Sequence, residues 1–231
     1  MVMTCSPFRF GGQSWQALPE GALYWHERKA LIVADLHLEK GSAFAARGQM
    51  LPPYDSIATL AALETALAQT DARELWCLGD SLHDEAATER MTGDVLDRLA
   101  LLTARLDWTW ITGNHDPSVS PRLGGRNREE AEVDGIILRH EALPGEQRPE
   151  LSGHFHPKWR LSLRGRSVSR RCFVMDQAKL ILPSFGAFTG GLDACAQPIR
   201  SLMGAQAEAL VPLTSRLLRF PMPLGQKKIA W

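Results

Sequence analysis

Short polar clusters follow three apolar runs in the first half of the sequence. These runs lead into ADLHLE, LGDSLHD and TGNHD, which supply aspartate, asparagine and histidine side chains. Two further stretches, LRHEA and GHFHP, follow apolar runs in the second half. Of the seven histidines, only His26 lies outside these five clusters. The candidate functional residues are Asp35, His37, Asp80, His83, Asp84, Asn114, His115, Asp116, His140, His154 and His156.

These side chains are suited to metal binding. Imidazole nitrogens with carboxylate and amide oxygens are ligands of Mn²⁺, Fe²⁺ and Zn²⁺. Each residue alone has a structural explanation, as a loop cap, a turn residue or a satisfied histidine at a strand edge. Gathered at one place, so many polar groups would be costly without compensation. Their number matches two cations, which at a separation of about 3.5–4 Å clamp the attacking and leaving oxygens of a phosphoryl displacement.

The elements around the first three clusters alternate between strand and helix. KALIVA, ELWCLGD and DWTWITG predict buried strands, and DSIATLAALETALAQT predicts a helix capped by Asp55 or Ser56. ATERMTGDVLDRLALLTARL predicts a second helix. Such an order favours parallel strands joined by right-handed crossovers. Because sites form at the carboxyl ends of strands in open α/β sheets, the three clusters should share one rim.

After Arg128 the pattern changes to short strand-like segments separated by turn residues. EVDGIILRHEA, ELSGHFHP, WRLSLRG, RCFVMD and AKLILPS show little helical periodicity, so we expect a second, more antiparallel sheet. The final stretch, FPMPLGQKKIAW, predicts a loosely attached extension. All 231 residues are expected to form a single domain.

Composition excludes a disordered or fibrous protein, since 45% of the residues are hydrophobic and 23% are charged. The net charge of zero conceals an asymmetry. Residues 1–118 carry 9 Lys and Arg against 16 Asp and Glu, whereas residues 119–231 carry 17 against 10. An acidic half suits cation binding, and a basic half suits a partner that bears phosphate.

The cysteine pattern and the lengths of the apolar segments indicate where in the cell the protein is located. Cys5, Cys77, Cys172 and Cys195 form no CxxC pair, so we expect inert thiols rather than a zinc site or a disulfide framework. No segment approaches the roughly 18 apolar residues of a membrane span. The first residues also lack the pattern of a secretory leader. We therefore expect a cytoplasmic protein with no membrane contact.

The ordered motifs D-x-H, G-D, G-N-H-D, H and G-H-x-H, over residues 35–156, resemble those of the calcineurin-like metallophosphoesterases. The resemblance implies a four-layer α/β/β/α sandwich with a dinuclear metal site at the sheet edge. ADLHLEKG, LGDSLHD, GHFHP and LILPSFGAFTGG further resemble the bacterial branch called DNA-ligase-associated metallophosphoesterases. That second resemblance covers nearly the whole chain.

The resemblance also implies a ligand set for two divalent cations. Mn²⁺ is the first candidate, and Fe²⁺ and Zn²⁺ are alternatives because the donor types suit all three. The nucleophile would be hydroxide that the metals generate from water. One metal would be bound by Asp35, His37 and His156, the other by Asn114, His140 and His154, and Asp80 would bridge the two.

His115 would face the substrate rather than bind metal. In that role it would stabilise charge on the phosphate or protonate the departing oxygen. Many members have G-D-x-x-D, but here His83 stands at the second acidic position and Asp84 follows it. Either could orient His115, or His83 could contact the substrate. The G-D-x-x-H form resembles DNA-repair nucleases, which favours a phosphodiester substrate, and Asp116 is expected to support its neighbours.

Basic residues follow the last metal motif, in KWRLSLRGRSVSRR. Lys158, Arg160 and Arg164 share one face of a predicted strand, opposite Trp159 and Leu161. This face either binds nucleic acid or is a solvated outer face. The glycines of PSFGAFTGG could likewise bring backbone N–H groups to a phosphate or simply permit a tight loop.

The sequence thus predicts a metal-dependent phosphodiesterase, specifically a DNA endonuclease acting in repair. The alternatives are a phosphomonoesterase or nucleotide hydrolase that uses the same metals, and a non-catalytic subunit of a repair complex. The resemblance implies DNA as a partner and an ATP-dependent DNA ligase, a helicase and a nuclease as functional neighbours. The sequence leaves open whether the chain forms a homodimer.

Overall fold

The first seven strands form one sheet in the computed structural model, which describes residues 7–163 and 166–222. β3 pairs antiparallel with β4, whereas β4, β5, β6 and β7 are parallel to one another. The parallel arrangement predicted for the three buried strands, β4, β5 and β6, is therefore confirmed. The register aligns Ala34, Leu78 and Ile111, so that β4, β5 and β6 end at one edge. The strands are β1 (Phe8–Phe10), β2 (Gln13–Ala17), β3 (Leu23–Trp25), β4 (Ala30–Ala34), β5 (Glu74–Leu78), β6 (Asp107–Ile111) and β7 (Arg126–Arg128).

Four helices cover one face of this sheet: α1 (Lys40–Ala46), α2 (Asp55–Gln69), α3 (Ala87–Arg90) and α4 (Gly93–Arg105). α2, α3 and α4 pack around a core that includes Leu60, Leu99 and Trp108, and α1 contacts α2 and α3. The single helix predicted over residues 87–106 is divided, because Thr92 has extended backbone and precedes α4 as its N-cap residue. None of the helices in the described ranges is long and apolar enough to cross a membrane.

The predicted caps of α2 are wrong. Tyr54 occupies the N-cap position, and Asp55 and Ser56 are buried within the first turn. Asp55 accepts a hydrogen bond from the backbone N–H of Gly41, and the Ser56 hydroxyl donates to the Glu39 carboxylate. Because these side chains bind residues at the end of the first polar cluster and just after it, they tie α2 to that cluster instead of capping the helix.

The second half forms another seven-stranded sheet in the order β16-β15-β13-β14-β10-β9-β8. Its pairs are antiparallel except for β14–β10 and β10–β9, so the predicted more antiparallel sheet is confirmed. β11 and β12 form a separate hairpin. The strands are β8 (Ala131–Val133), β9 (Ile136–Leu138), β10 (Glu150–Ser152), β11 (Lys158–Leu163), β12 (Arg166–Arg171), β13 (Phe173–Met175), β14 (Lys179–Ile181), β15 (Glu208–Leu213) and β16 (Arg216–Pro221).

The two sheets pack face to face. Trp15 and Trp25 from the first sheet meet Phe173 and Leu180 from the second in a common apolar core. The outer face of the second sheet is covered by a short helix, α5 (Gln197–Arg200), and by apolar side chains of the β11–β12 hairpin. The predicted four-layer sandwich is therefore confirmed, with a thin fourth layer.

The two ends of the described chain are more integrated than the sequence predicts. β1, β2 and β3 form an antiparallel meander that the sequence patterns do not predict. At the other end, the Phe220 ring stacks on Trp159 with the ring centroids 5.2 Å apart, and Met222 is buried. The predicted loose extension is wrong for residues 220–222, because Phe220 and Met222 join an apolar core and Pro221 lies between them. Residues 223–231 lie outside the described residues.

Candidate metal centre

The polar clusters meet at the carboxyl edge of β4, β5 and β6, where β9 and β10 of the second sheet also end. Asp35 directly follows β4, and Asp80 comes two residues after β5. Several of these residues adopt left-handed backbone, which is uncommon for residues other than glycine and occurs preferentially at functional sites. They are Asp35 (φ 53°), His37 (φ 45°), Asp80 (φ 44°), His154 (φ 69°) and His156 (φ 48°).

Asp35, His37 and His156 form the first ligand group. Asp35 and His37 are buried, and His156 is partly exposed. Nε2 of His156 lies 3.5 Å from Oδ1 of Asp35 and 3.3 Å from Nε2 of His37. One ligand atom from each residue lies within 4.8 Å of the others. The structure thus brings together the three residues expected to bind one metal.

Asp80, His140 and His154 form the second ligand group, in which ligand atoms also lie within 4.8 Å of one another. Nε2 of His140 lies 3.5 Å from Oδ1 of Asp80 and 3.1 Å from Nδ1 of His154. The side-chain oxygen of Asn114 is 2.9 Å from the same Nε2. The residues expected to bind the other metal are therefore also adjacent.

Asp80 lies between the two groups. Its Oδ1 faces His140 at 3.5 Å, and its Oδ2 lies 4.0 Å from Nε2 of His37. The carboxylate is 4% exposed. A carboxylate that directs one oxygen toward each group has the geometry to bridge two cations.

The donor set fits two divalent cations. Metal–nitrogen and metal–oxygen bonds of about 2.0–2.2 Å place the ligands of one cation within roughly 4.4 Å of each other. Groups whose ligand atoms lie within 4.8 Å need only small shifts to reach that spacing. Each group combines imidazole nitrogen with carboxylate oxygen, which suits first-row transition metals.

Local contacts prepare the imidazoles to bind metal. Nδ1 of His140 donates to the backbone oxygen of Leu78 at 3.2 Å, which fixes the ring with Nε2 directed toward the second group. Burial, reinforced by the neighbouring His156 and His115, lowers the pKa of His37 to about 2. Its ring is therefore neutral and offers a lone pair to a cation.

Two glycines allow the ligand segments to approach closely. An added Cβ at Gly79, where φ is 72°, would collide with the His140 ring. At Gly153 it would lie 2.5 Å from Oδ2 of Asp35. A side chain at Gly79 would therefore displace His140, and a side chain at Gly153 would displace Asp35.

His115 lies at the open side of the centre, with 40% of its side chain exposed. Its Nδ1 donates to the backbone oxygen of His83 at 2.8 Å, since a carbonyl oxygen can only accept. Its Nε2 then faces Oδ2 of Asp80 at 3.9 Å. The main chain of His83 thus orients His115 through a hydrogen bond.

His83 and Asp84 border the cavity in front of His115. The rings of His83 and His115 stack with their centroids 5.4 Å apart, and both line an open cavity of about 410 Å³ together with Arg47. Burial, then the charges of His115 and Lys40, lowers the pKa of His83. Asp84 also lines the cavity, but its carboxylate pairs with Arg90 at 2.7 Å.

Asp116 links the second and third clusters through the main chain. It is buried and accepts hydrogen bonds from the backbone N–H groups of Ser81, Leu82 and Gly113. Burial, with a further effect of Asp80, raises its pKa to about 6. These contacts agree with a supporting role for Asp116.

A second cavity, of about 300 Å³, opens where the β11–β12 hairpin begins, two residues after His156. Lys158 and Arg171 line it together with Phe188 and Thr189. The ammonium of Lys158 donates to the backbone oxygen of Thr189 at 3.1 Å. Burial, then the charges of Arg171 and Lys40, lowers the pKa of Lys158. The cavity is therefore electropositive.

Arg160, another predicted substrate-binding residue, is directed to solvent. The Arg160 side chain is 65% exposed, and its Nε is 3.8 Å from an Asp193 carboxylate oxygen. Arg164 lies outside the described residues. Trp159, on the opposite face of β11, packs against Phe220, as the predicted alternation requires. Of the two described residues of the predicted basic face, Lys158 reaches the cavity.

Arg171 and Arg47 are cavity residues that the sequence analysis missed. Arg171 belongs to the basic run already noted, and the hairpin register places it opposite Lys158. That register could have identified it, had the strand pairing been predicted. Arg47 follows α1 as a single arginine, which carries no distinguishing signal in the sequence.

Comparisons with known proteins place this geometry among solved structures. The nuclease MPE of Pseudomonas putida matches with a TM-score of 0.72 and 32% sequence identity, over 93% of this chain and 99% of that chain. YfcE, a phosphoesterase from E. coli, matches with a TM-score of 0.44 and 14% identity, over 84% of this chain and 99% of that chain. No family model and no curated protein matches the sequence.

Proposed function

This chain belongs to the calcineurin-like metallophosphoesterases, and we propose that it is a nuclease that hydrolyses phosphodiester bonds in DNA. One observation carries the proposal. The Asp80 carboxylate lies between two ligand groups, and His115 faces it from the side of an open cavity. The solved structure that shares 32% identity is that of a nuclease, which supports a phosphodiester substrate for this chain.

Two divalent cations would be held by the ligand groups already described, with Asn114 joining the second group and Asp80 between them. When bound, the cations would supply Lewis acidity, which reduces charge on the phosphate and acidifies water. Mn²⁺ is our proposed metal. The neutral ring of His37 and the fixed ring of His140 favour transition metals over Mg²⁺, which prefers oxygen ligands.

His115 is the proposed proton donor to the departing oxygen. Because its Nδ1 is committed to the carbonyl oxygen of His83, the exchangeable proton resides on Nε2, on the side of the ring that faces Asp80. A protonated ring can donate from this atom and remain held in place as the neutral imidazole. Replacement of His115 removes the donor without removing a proposed metal ligand.

Two cavities beside the proposed metal centre carry side chains that could bind a polynucleotide. Lys158 and Arg171 lie together in one cavity, where they can bind phosphates that flank the cleaved bond. His83, whose pKa is lowered, presents a neutral ring in the other cavity, where we propose that it contacts the second ester group of a diester. Asp84 would act there by holding Arg90.

We further propose that the cleavage is endonucleolytic and serves DNA repair in the cytoplasm. The similarity of the sequence motifs to the DNA-ligase-associated branch supports functional links with an ATP-dependent ligase, a helicase and a nuclease. Cleavage of a circular single-stranded DNA would identify an endonuclease, because an exonuclease has no end to attack. Resistance of the circle, with cleavage of the linear form, would contradict this proposal.

The phosphodiesterase proposal is tested with small esters. The metal-stripped protein is reconstituted with Mn²⁺ and given bis(p-nitrophenyl) phosphate or p-nitrophenyl phosphate, with Asp80→Asn as the control. We expect diester turnover that is lost in the control, because a neutral amide has one oxygen where the carboxylate has two and cannot bridge two cations. Turnover of the monoester alone would favour a phosphomonoesterase. Absence of turnover with Mn²⁺, Fe²⁺ and Zn²⁺ would favour a non-catalytic subunit.

A further inference from the structure

Phe188 is an exposed aromatic side chain held in an unfavourable backbone conformation. Its relative exposure is 51%, and its φ is 55°. Left-handed backbone disfavours bulky L-residues, and glycine would adopt it without that strain. Non-glycine residues in such conformations occur preferentially at functional sites. Five other left-handed residues are themselves proposed metal ligands: Asp35, His37, Asp80, His154 and His156.

The loop that carries Phe188 is fixed to the metal centre on its N-terminal side. The Ser184 hydroxyl and the Gly186 N–H both donate to the backbone oxygen of Asp35, at 2.8 and 3.1 Å. The N–H of Ala187 donates to the Thr59 hydroxyl at 2.9 Å. The residue directly before Phe188 is therefore held in place.

The C-terminal side of the loop is fixed as well. The Thr189 hydroxyl donates to the backbone oxygen of Gly186 at 3.0 Å, and its own backbone oxygen accepts from Lys158 at 3.1 Å. With both neighbours anchored, the Phe188 ring has to lie at the surface rather than in the core. The loop thus presents the ring at a defined position beside the metal centre.

Cationic side chains surround the ring. Phe188 lines the cavity of about 300 Å³ together with Lys158, Arg170 and Arg171. The guanidinium of Arg171 is fixed by donation to the backbone oxygens of Gly186, at 2.6 Å, and of Glu20, at 3.1 Å. An aromatic face beside fixed cations matches a nucleotide, which offers a flat base next to a phosphate.

We propose that Phe188 stacks on an unpaired base of the DNA and so selects single-stranded substrate beside the metal centre. Single exposed apolar residues are common, and Leu101 and Leu143 are examples on this surface. Phe188 differs because it is aromatic, anchored on both sides and adjacent to cations. In a duplex the faces of the bases are already stacked, so an unpaired base is the form that can bind. The inference rests on the proposed function, since it assumes that polynucleotide enters the centre.

The test measures binding without turnover. The full chain is held in EDTA, and its affinity for a labelled oligothymidylate of about 12 nucleotides is measured by fluorescence anisotropy. An abasic oligomer of the same length keeps the phosphates and removes the bases. We expect Phe188→Ala to raise the Kd of oligothymidylate roughly 5- to 150-fold, the range that loss of one base stack produces. The Kd of the abasic oligomer should stay the same.

Two further variants serve as controls. Phe188→Tyr keeps an aromatic face and should bind oligothymidylate as the wild type does. Leu101→Ala removes an exposed apolar side chain from α4 and should also bind normally. Equal Kd values for wild type and Phe188→Ala would overturn the proposal, as would an equal loss of affinity for both oligomers or failure of the wild type to bind oligothymidylate at low salt.

A DNA cleavage assay with the wild type shows whether a negative result contradicts the stacking role of Phe188 or the proposed nuclease function. Base-dependent binding through Phe188 without cleavage of DNA in Mn²⁺ would support the stacking role and contradict the nuclease. Cleavage of DNA with no effect of Phe188→Ala on binding would support the nuclease and overturn the stacking role.

Discussion

We expect Gly79→Ala to move His140 out of the second ligand group. Gly79 has a φ of 72°, and an added Cβ would collide with the imidazole of His140. That side chain is 10% exposed and donates to the backbone oxygen of Leu78, so it cannot turn aside within its present contacts. Relief of the clash has to shift the ring away from Asp80 and Asn114, or shift the loop that carries Asp80.

The size of the effect follows from comparison with a glycine that has the same backbone but open space. Gly135 has a φ of 77°, and no described atom lies within 4 Å of an added Cβ. Gly135→Ala should therefore cost only the strain of left-handed backbone, about 1–2 kcal/mol of unfolding free energy. Gly79→Ala should cost at least as much, and it should also weaken Mn²⁺ binding about 10- to 100-fold, the range found when the supports of metal ligands are removed.

Two assays separate the contributions. Chemical unfolding in EDTA gives the free energy of unfolding of each variant, and calorimetric titration with Mn²⁺ gives the metal affinity. The dependence of diester turnover on Mn²⁺ concentration provides a second measure of that affinity. Wild-type Mn²⁺ affinity in Gly79→Ala would refute the reasoning, because it would show that the position of the His140 ring does not control the metal site.

Three other results are expected. His83→Asn should reduce diester hydrolysis and retain monoester hydrolysis, and equal retention of both would contradict its proposed contact with the diester. Lys158→Ala should weaken DNA binding and lower the slope of log affinity against log salt by about 0.7–0.9, the value for one phosphate contact; an unchanged slope would contradict that contact. Asp71 has a pKa lowered from 3.8 to about 2 by hydrogen bonds from Lys29 and Tyr24. Since the folded state favours its ionised form, the destabilisation measured for Asp71→Asn by chemical unfolding should be largest above pH 3.8 and should disappear as the pH falls to about 2.

Short apolar runs were sufficient to predict the part of the centre that comes from the first sheet. β4, β5 and β6 are almost entirely buried, and their polar clusters follow directly in sequence. Because parallel strands in register end at one edge, Asp35, Asp80 and Asn114 meet there with little further information. The histidines of the second sheet are different. Their place opposite this edge depends on how two sheets pack, which the family resemblance supplied.

Contacts between distant segments could not be predicted from local patterns. Asp55 has the residue type and position of a helix cap, yet its partner is the backbone N–H of Gly41, fourteen residues earlier. Arg171 reaches the cavity because the hairpin pairs it with Lys158. Both outcomes depend on how separate segments meet, and neither leaves a periodic signal in the sequence.

The hydrogen bonds around Asp35 show how the fold holds strained residues and couples the two ligand groups. Its left-handed backbone is unfavourable by about 1–2 kcal/mol and needs support from neighbouring contacts. The Asp35 N–H donates to the backbone oxygen of Gly79, and its own backbone oxygen accepts from Ser184. The carboxylate that faces His156 in the first group also accepts the N–H of His154, a member of the second group, at 2.9 Å. Because one side chain serves both groups, loss of the Asp35 carboxylate should loosen His154 as well as the first metal position. The two positions are therefore one structural unit, which residue types and spacing alone do not reveal.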